Sequence, residues 1–169
     1  MGIISFFKEA GEKLFGSKES EAAAQQAQAA PDDAALQAKA AQANAAAAQA
    51  IAGYIAAQKL TADALTVEFD GASGAVTVSG VAADQATREK IILCCGNVRG
   101  VEQVNDLLTV NQPADESQWH TVVRGDTLSA IAKKFYGNAN AYMKIFEANK
   151  PMLSHPDKIY PGQLLRIPA

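Results

Sequence analysis

The chain has 169 residues, a formal net charge of −3 and a hydrophobic fraction of 49%, much of it alanine, which buries little. That leaves room for one or two small domains with connecting segments rather than one large core. An acidic balance without clustered Lys and Arg argues against nucleic acid as a partner, because phosphate contacts need such clusters.

At the N-terminus, residues 1–16 put Ile3, Phe7, Ala10 and Leu14 on one helical stripe with Phe6 beside it, which predicts an amphipathic helix. Lys8 and Glu9 break the apolar run, so neither a secretory leader nor stable membrane insertion is expected. Phe6 stands where the N-myristoylation pattern wants Ser or Thr. The helix is read as docking on a neighbouring domain, in preference to a membrane surface, which favours more Lys and Arg. Gly11 interrupts it and permits a turn whose carbonyls leave the helix axis.

Residues 17–49 are rich in Ala and Gln. From Pro31 onward a helix is predicted, with Asp32 and Asp33 at its positive end. The first half of the segment reads as either a tether or a frayed helix.

From residue 50 the pattern changes. Ile51, Tyr54, Ile55 and Leu60 mark a helix face, Leu65–Phe69 and Ala75–Ser79 alternate as the strands of a hairpin, and Asp70-Gly-Ala-Ser-Gly74 is their turn. That turn lacks the oxygen side chains and bidentate Glu of a calcium loop. A helix over 84–95, a glycine-bounded turn over 96–100 and a strand over 101–110 complete the order αββαβ. Cys94 and Cys95 lie in an apolar run. Adjacent cysteines seldom pair with each other, so they are expected as buried thiols of a reducing compartment. With only His120 and His155 elsewhere, no zinc spacing appears. The glycines, the charged helix and Gly96-Asn-Val98-Arg-Gly-Val101 resemble the BON domain over residues 50–111.

Residues 112–118 are polar with one proline and read as a linker. Residues 119–169 then follow a βααβ order: a strand from His120, a helix with Asp126 as its N-cap and Leu128, Ile131, Ala132 and Phe135 inward, a helix over 140–149, and a closing strand at Leu164, Leu165 and Ile167. Arg124-Gly-Asp-Thr-Leu128 and Pro161-Gly-Gln163 give this part a strong resemblance to the LysM module, a carbohydrate-binding fold. That resemblance implies a glycan groove, or a protein-partner groove, of Gly125, Asp126, Thr127 and Leu128 facing Met152, Leu153, Ile159 and Tyr160. Ser154-His155 is not read as a catalytic pair, since no third group orients it, and no enzyme activity is expected.

Taken whole, the chain reads as an α+β protein of two small domains. It resembles the Kbp-type bacterial potassium-binding proteins, through runs such as Lys8-Glu-Ala-Gly-Glu-Lys-Leu14, Gly96-Asn-Val98 and Pro156-Asp-Lys-Ile-Tyr-Pro-Gly-Gln163. The resemblance implies a cytoplasmic sensor or buffer of K⁺, expected to be a monomer that compacts on binding. It places the ion on backbone carbonyls of Phe7, Ala10, Glu12, Gly96, Val98 and Val101. Neutral carbonyls suit a large monovalent cation, and Gly11 and the 96–100 turn provide the irregular backbone that frees them. The alternative is a peptidoglycan-binding envelope protein acting through the LysM groove. The Ala/Gln segment is a departure: it must fold back or loop out if the first segment is to reach the BON core.

Overall fold

A computed structural model describes residues 2–6 and 11–169. Strands and helices build two mixed α+β domains.

The first segment departs from expectation. Gly2–Ser5 is a strand, β1, and residues 11–16 are irregular, so the predicted N-terminal helix is absent wherever the segment is described. A four-residue apolar run cannot be told from a helix turn by periodicity. The deciding factor is a free sheet edge: β1 pairs antiparallel with β4 (Gln103–Gln112), Gly2 opposite Asp106 and Ser5 opposite Gln103. Ile4 packs on the core and Ile3 is left 71% exposed.

The Ala/Gln segment folds back. Helices α1 (Ser17–Ala29) and α2 (Ala34–Ala57) form a hairpin, so the first half is a formed helix rather than a tether. Asp33 caps α2, its Oδ1 accepting from Ala35 N–H at 2.9 Å and Leu36 N–H at 3.2 Å. Ala23 and Ala27 pack on Ala40, and Gln37 Nε2 donates to the Ala27 carbonyl at 2.7 Å. The start of α1 rests on the sheet end, with the Phe15 and Phe69 rings edge to face at 5.1 Å. α2 continues unbroken through residue 50 into the domain core.

The main sheet has the order β1-β4-β3-β2. β2 (Ala62–Asp70) and β3 (Ala75–Asp84) form the antiparallel hairpin, and β3 returns through α3 (Gln85–Gly96) to lie parallel to β4. Alternation puts Val76, Val78, Val104 and Leu108 inward against Ile51 and Ile55 of α2 and Ile91, Ile92, Cys94 and Cys95 of α3. Both cysteines are free and buried; burial pushes the Cys94 thiol up to about 12, and raises Cys95 as well.

The C-terminal domain pairs β5 (Gln118–Thr121) with β6 (Leu164–Ile167). Helices α4 (Leu128–Tyr136) and α5 (Tyr142–Ala148) cover them, around Leu128, Ile131, Ile145, Leu153 and Leu165. The N-cap of α4 is Thr127, whose Oγ1 accepts from Ala130 N–H at 3.1 Å. The expected cap, Asp126, turns instead to Val123 N–H and His120 Nε2. Those two hydrogen bonds, the Val123 one foremost, hold its carboxyl below the ordinary range. Among the described residues no helix is long and apolar enough to cross a membrane.

Candidate functional site

The first segment is fastened at both described ends to the turn after α3. Phe6 N–H donates to the Glu102 carbonyl at 2.7 Å. Further on, Glu12 N–H donates to the Asn97 carbonyl at 2.9 Å, and Arg99 N–H donates to the Glu12 carbonyl at 2.9 Å. Glu12 and Val98 thereby form a parallel bridge outside any strand. Gly11 makes this approach possible: its φ is +103°, and a Cβ there would fall on the Asn97 carbonyl. The Phe6 ring lies over Gly96, in space that any side chain at Gly96 would fill.

Of the six positions that the resemblance implies, Glu12 and Val98 are bridged and Gly96 and Val101 lie in the same turn as Val98; Phe7 and Ala10 lie outside the described residues. The Glu12 carbonyl accepts from Arg99 and the Val98 carbonyl from Val101 N–H at 3.1 Å. Each carbonyl oxygen has two lone pairs, so each keeps one for a further partner. Neutral oxygens are the kind of donor that a large monovalent cation takes in exchange for its water shell.

The C-terminal domain closes one side of this region. A cleft of about 180 Å³ is lined by Glu12, Tyr54, Asn97, Met152, Tyr160 and Gln163, among others. Burial, with the Glu12 charge adding to it, pushes the Tyr160 hydroxyl up to about 12; burial raises Tyr54 too. Both therefore stay neutral at physiological pH. The Asn97 side chain crosses between the domains: Nδ2 donates to the Leu164 carbonyl at 3.0 Å and Oδ1 accepts from Leu164 N–H at 3.1 Å. Sequence reading passes over this side chain, because its partner is 67 positions away.

The expected glycan groove is only partly assembled. Thr127 and Leu128 line an opening of about 410 Å³ whose far side is Tyr142, His155, Pro156 and Asp157. Leu153 is in the core and Ile159 packs against it; Met152 packs on the N-terminal domain, and Tyr160 lines the interdomain cleft. Gly125 and Asp126 shape the loop before α4, Gly125 at φ +93°. Of the missed groove residues, Tyr142 opens α5 and His155, Pro156 and Asp157 lie in the irregular segment between α5 and β6, where no periodic signal marks them. His155 Nδ1 accepts from Asp157 N–H at 3.2 Å, a local turn, and His120 is held by Asp126 and stacked edge to face on Phe135.

Comparison with known proteins agrees with the two-domain layout. A BON domain model matches residues 43–112 and a LysM domain model residues 120–168. A potassium binding protein, Kbp, of Escherichia coli O6:H1 is 45% identical over 172 residues, covering 99% of each chain. Two further similarities are partial. An uncharacterized protein of Deinococcus radiodurans is 51% identical over 50 residues, 30% of this chain and 19% of that protein. The uncharacterized protein YqbP of Bacillus subtilis is 40% identical over 58 residues, 29% and 26% respectively.

Proposed function

The chain belongs to the family of the potassium binding protein Kbp, and from that premise we propose that it binds K⁺ through backbone carbonyls of Phe7, Ala10, Glu12, Gly96, Val98 and Val101. The observation that supports this reading best is the Glu12–Val98 bridge, which gathers peptide oxygens from two distant segments at one irregular point of the backbone. K⁺ is weakly attracted to carboxylates and exchanges its water shell for several neutral oxygens at once. The strap supplies part of that set only when it lies on the turn, so binding and strap closure are linked. The protein then acts as a cytoplasmic sensor or buffer of K⁺ that compacts on loading, with no catalytic step. The free, buried cysteines suit such a compartment.

Titration of the full chain with KCl, NaCl and LiCl, followed by amide NMR shifts, tests the reading. The expected result is a saturable K⁺ response centred on residues 11–12 and 96–101, with no matching Na⁺ response. Equal, non-saturating responses to all three salts refute it. A second reading, glycan binding, has support in the LysM match and in the opening between Thr127 and His155. Ser129 also lines that opening, and retention on insoluble peptidoglycan, lost on filling the opening by Ser129→Trp, is the test.

A further inference from the structure

Among the described residues, β6 pairs with β5 along one edge only. On the other edge two asparagine side chains stand in for a neighbouring strand. Asn149, from the same domain, accepts from Arg166 N–H at 2.9 Å and donates to the Arg166 carbonyl at 2.7 Å. Asn97, from the other domain, makes the same two-point pairing with Leu164, two residues earlier. Residues i and i+2 of a strand point their peptide groups the same way, so the two amides form one continuous cap.

Asn97 is therefore fixed from three directions. Its N–H donates to the Leu93 carbonyl at the end of α3, its carbonyl accepts from Glu12, and its side chain is held by Leu164. The peptide unit before it carries the Gly96 carbonyl, and the one after it carries its own carbonyl and the Val98 N–H. Rotation about the Asn97 backbone would re-aim both carbonyls, and the Leu164 pairing opposes that rotation.

Resting on the K⁺ reading above, we propose that Asn97 is a positioning residue for the ion site: its side-chain amide, clamped by the β6 main chain, sets the aim of the Gly96 carbonyl and the place of Val98 after it. Affinity for the ion thus depends on a strand of the other domain that contributes no ligand. By linkage the dependence is reciprocal, and ion binding strengthens the Asn97–Leu164 pairing.

The test uses the full chain and two substitutions, Asn97→Leu, similar in size but lacking the amide, and Asn97→Ala. K⁺ affinity is measured by calorimetry, and Leu164 amide exchange is followed with and without KCl. Loss of both side-chain hydrogen bonds predicts a K⁺ affinity lower by about tenfold or more in both variants. In the wild type, K⁺ slows Leu164 exchange; in the variants it does not. Saturable wild-type binding with variant affinities within twofold of it overturns the positioning role and leaves the K⁺ reading standing. Absence of saturable wild-type binding overturns both. If one variant fails to fold, the other decides, and K⁺-dependent exchange at Leu164 in the wild type is read without either; its absence counts against the coupling.

Discussion

Gly11 shows how one residue type sets the geometry of the strap. At φ +103° an L side chain is strained, and a Cβ would also collide with the Asn97 carbonyl that Glu12 N–H must reach. Gly11→Ala is expected to cost about 1–3 kcal/mol, from backbone strain together with the displaced hydrogen bond. Gly53 provides the opposite case, since it lies inside α2 with nothing within 4 Å of an added Cβ. Gly53→Ala should stabilise the chain by up to about 1 kcal/mol through helix propensity. Urea unfolding of the two variants beside the wild type checks both signs. Equal midpoints for Gly11→Ala and wild type would show that the strap does not need the left-handed turn.

At the scale of elements, the α hairpin depends on its cap. Asp33 satisfies two of the amides that the start of α2 leaves without helical partners. Asp33→Ala should cost about 1 kcal/mol, and thermal unfolding followed by circular dichroism should show it. An unchanged midpoint would mean that packing of Leu36 and Ala40 alone holds the helix start. Asp33 was legible as an acid favourable to the start of a helix read from Pro31, whereas the helix begins at Ala34 with Asp33 as its cap; the alternating strands of the hairpin, the helix from Asp84 and the two-domain order were legible too, because each is written in local periodicity and turn chemistry. β1 was not. Ile3, Phe7 and Leu14 satisfy a helical spacing, and only the vacant edge of β4, about a hundred residues away, makes a strand of Gly2–Ser5. The strap and turn were legible as glycine-loosened backbone, and their meeting came from family resemblance rather than from spacing. The far side of the LysM opening, and the pairing of Asn97 and Asn149 with β6, were invisible for the same physical reason: their partners are set by tertiary packing, which leaves no period in the chain.

For the molecule as a whole, the question is what holds the two domains in one arrangement around the cleft. Trp119 and Met152 pack on the N-terminal core, and Arg166 of β6 forms a buried ion pair with Glu89 of α3. Glu89 is 2% exposed and also accepts from Ser117 N–H at 2.9 Å and from Gln85 Nε2 at 2.8 Å. Burial alone would raise its carboxyl, but the hydrogen bonds from Ser117, Arg166 and Gln85 outweigh it and hold the group below the ordinary carboxylate range. A depressed carboxyl stabilises the folded, docked state above its unfolded value, and that contribution disappears as pH falls through the depressed one. Docking should therefore be insensitive to pH near neutrality and weaken in acid, below about pH 4. Glu89→Gln removes the charge at every pH and leaves Arg166 buried without its counter-ion, which costs on the order of 3 kcal/mol. Small-angle scattering at neutral pH should show a larger radius for Glu89→Gln than for the wild type. The wild type should approach that radius on acidification, while far-UV circular dichroism keeps the signature of both domains. A variant with the wild-type radius would place the strength of the interface in the Trp119 and Met152 contacts and the Asn97 clamp instead. Since Glu89 and Asn97 sit at the middle and end of the same helix, loss of docking through Glu89 should also weaken the Leu164 pairing, and a variant that separates the domains while leaving Leu164 protected would break that connection.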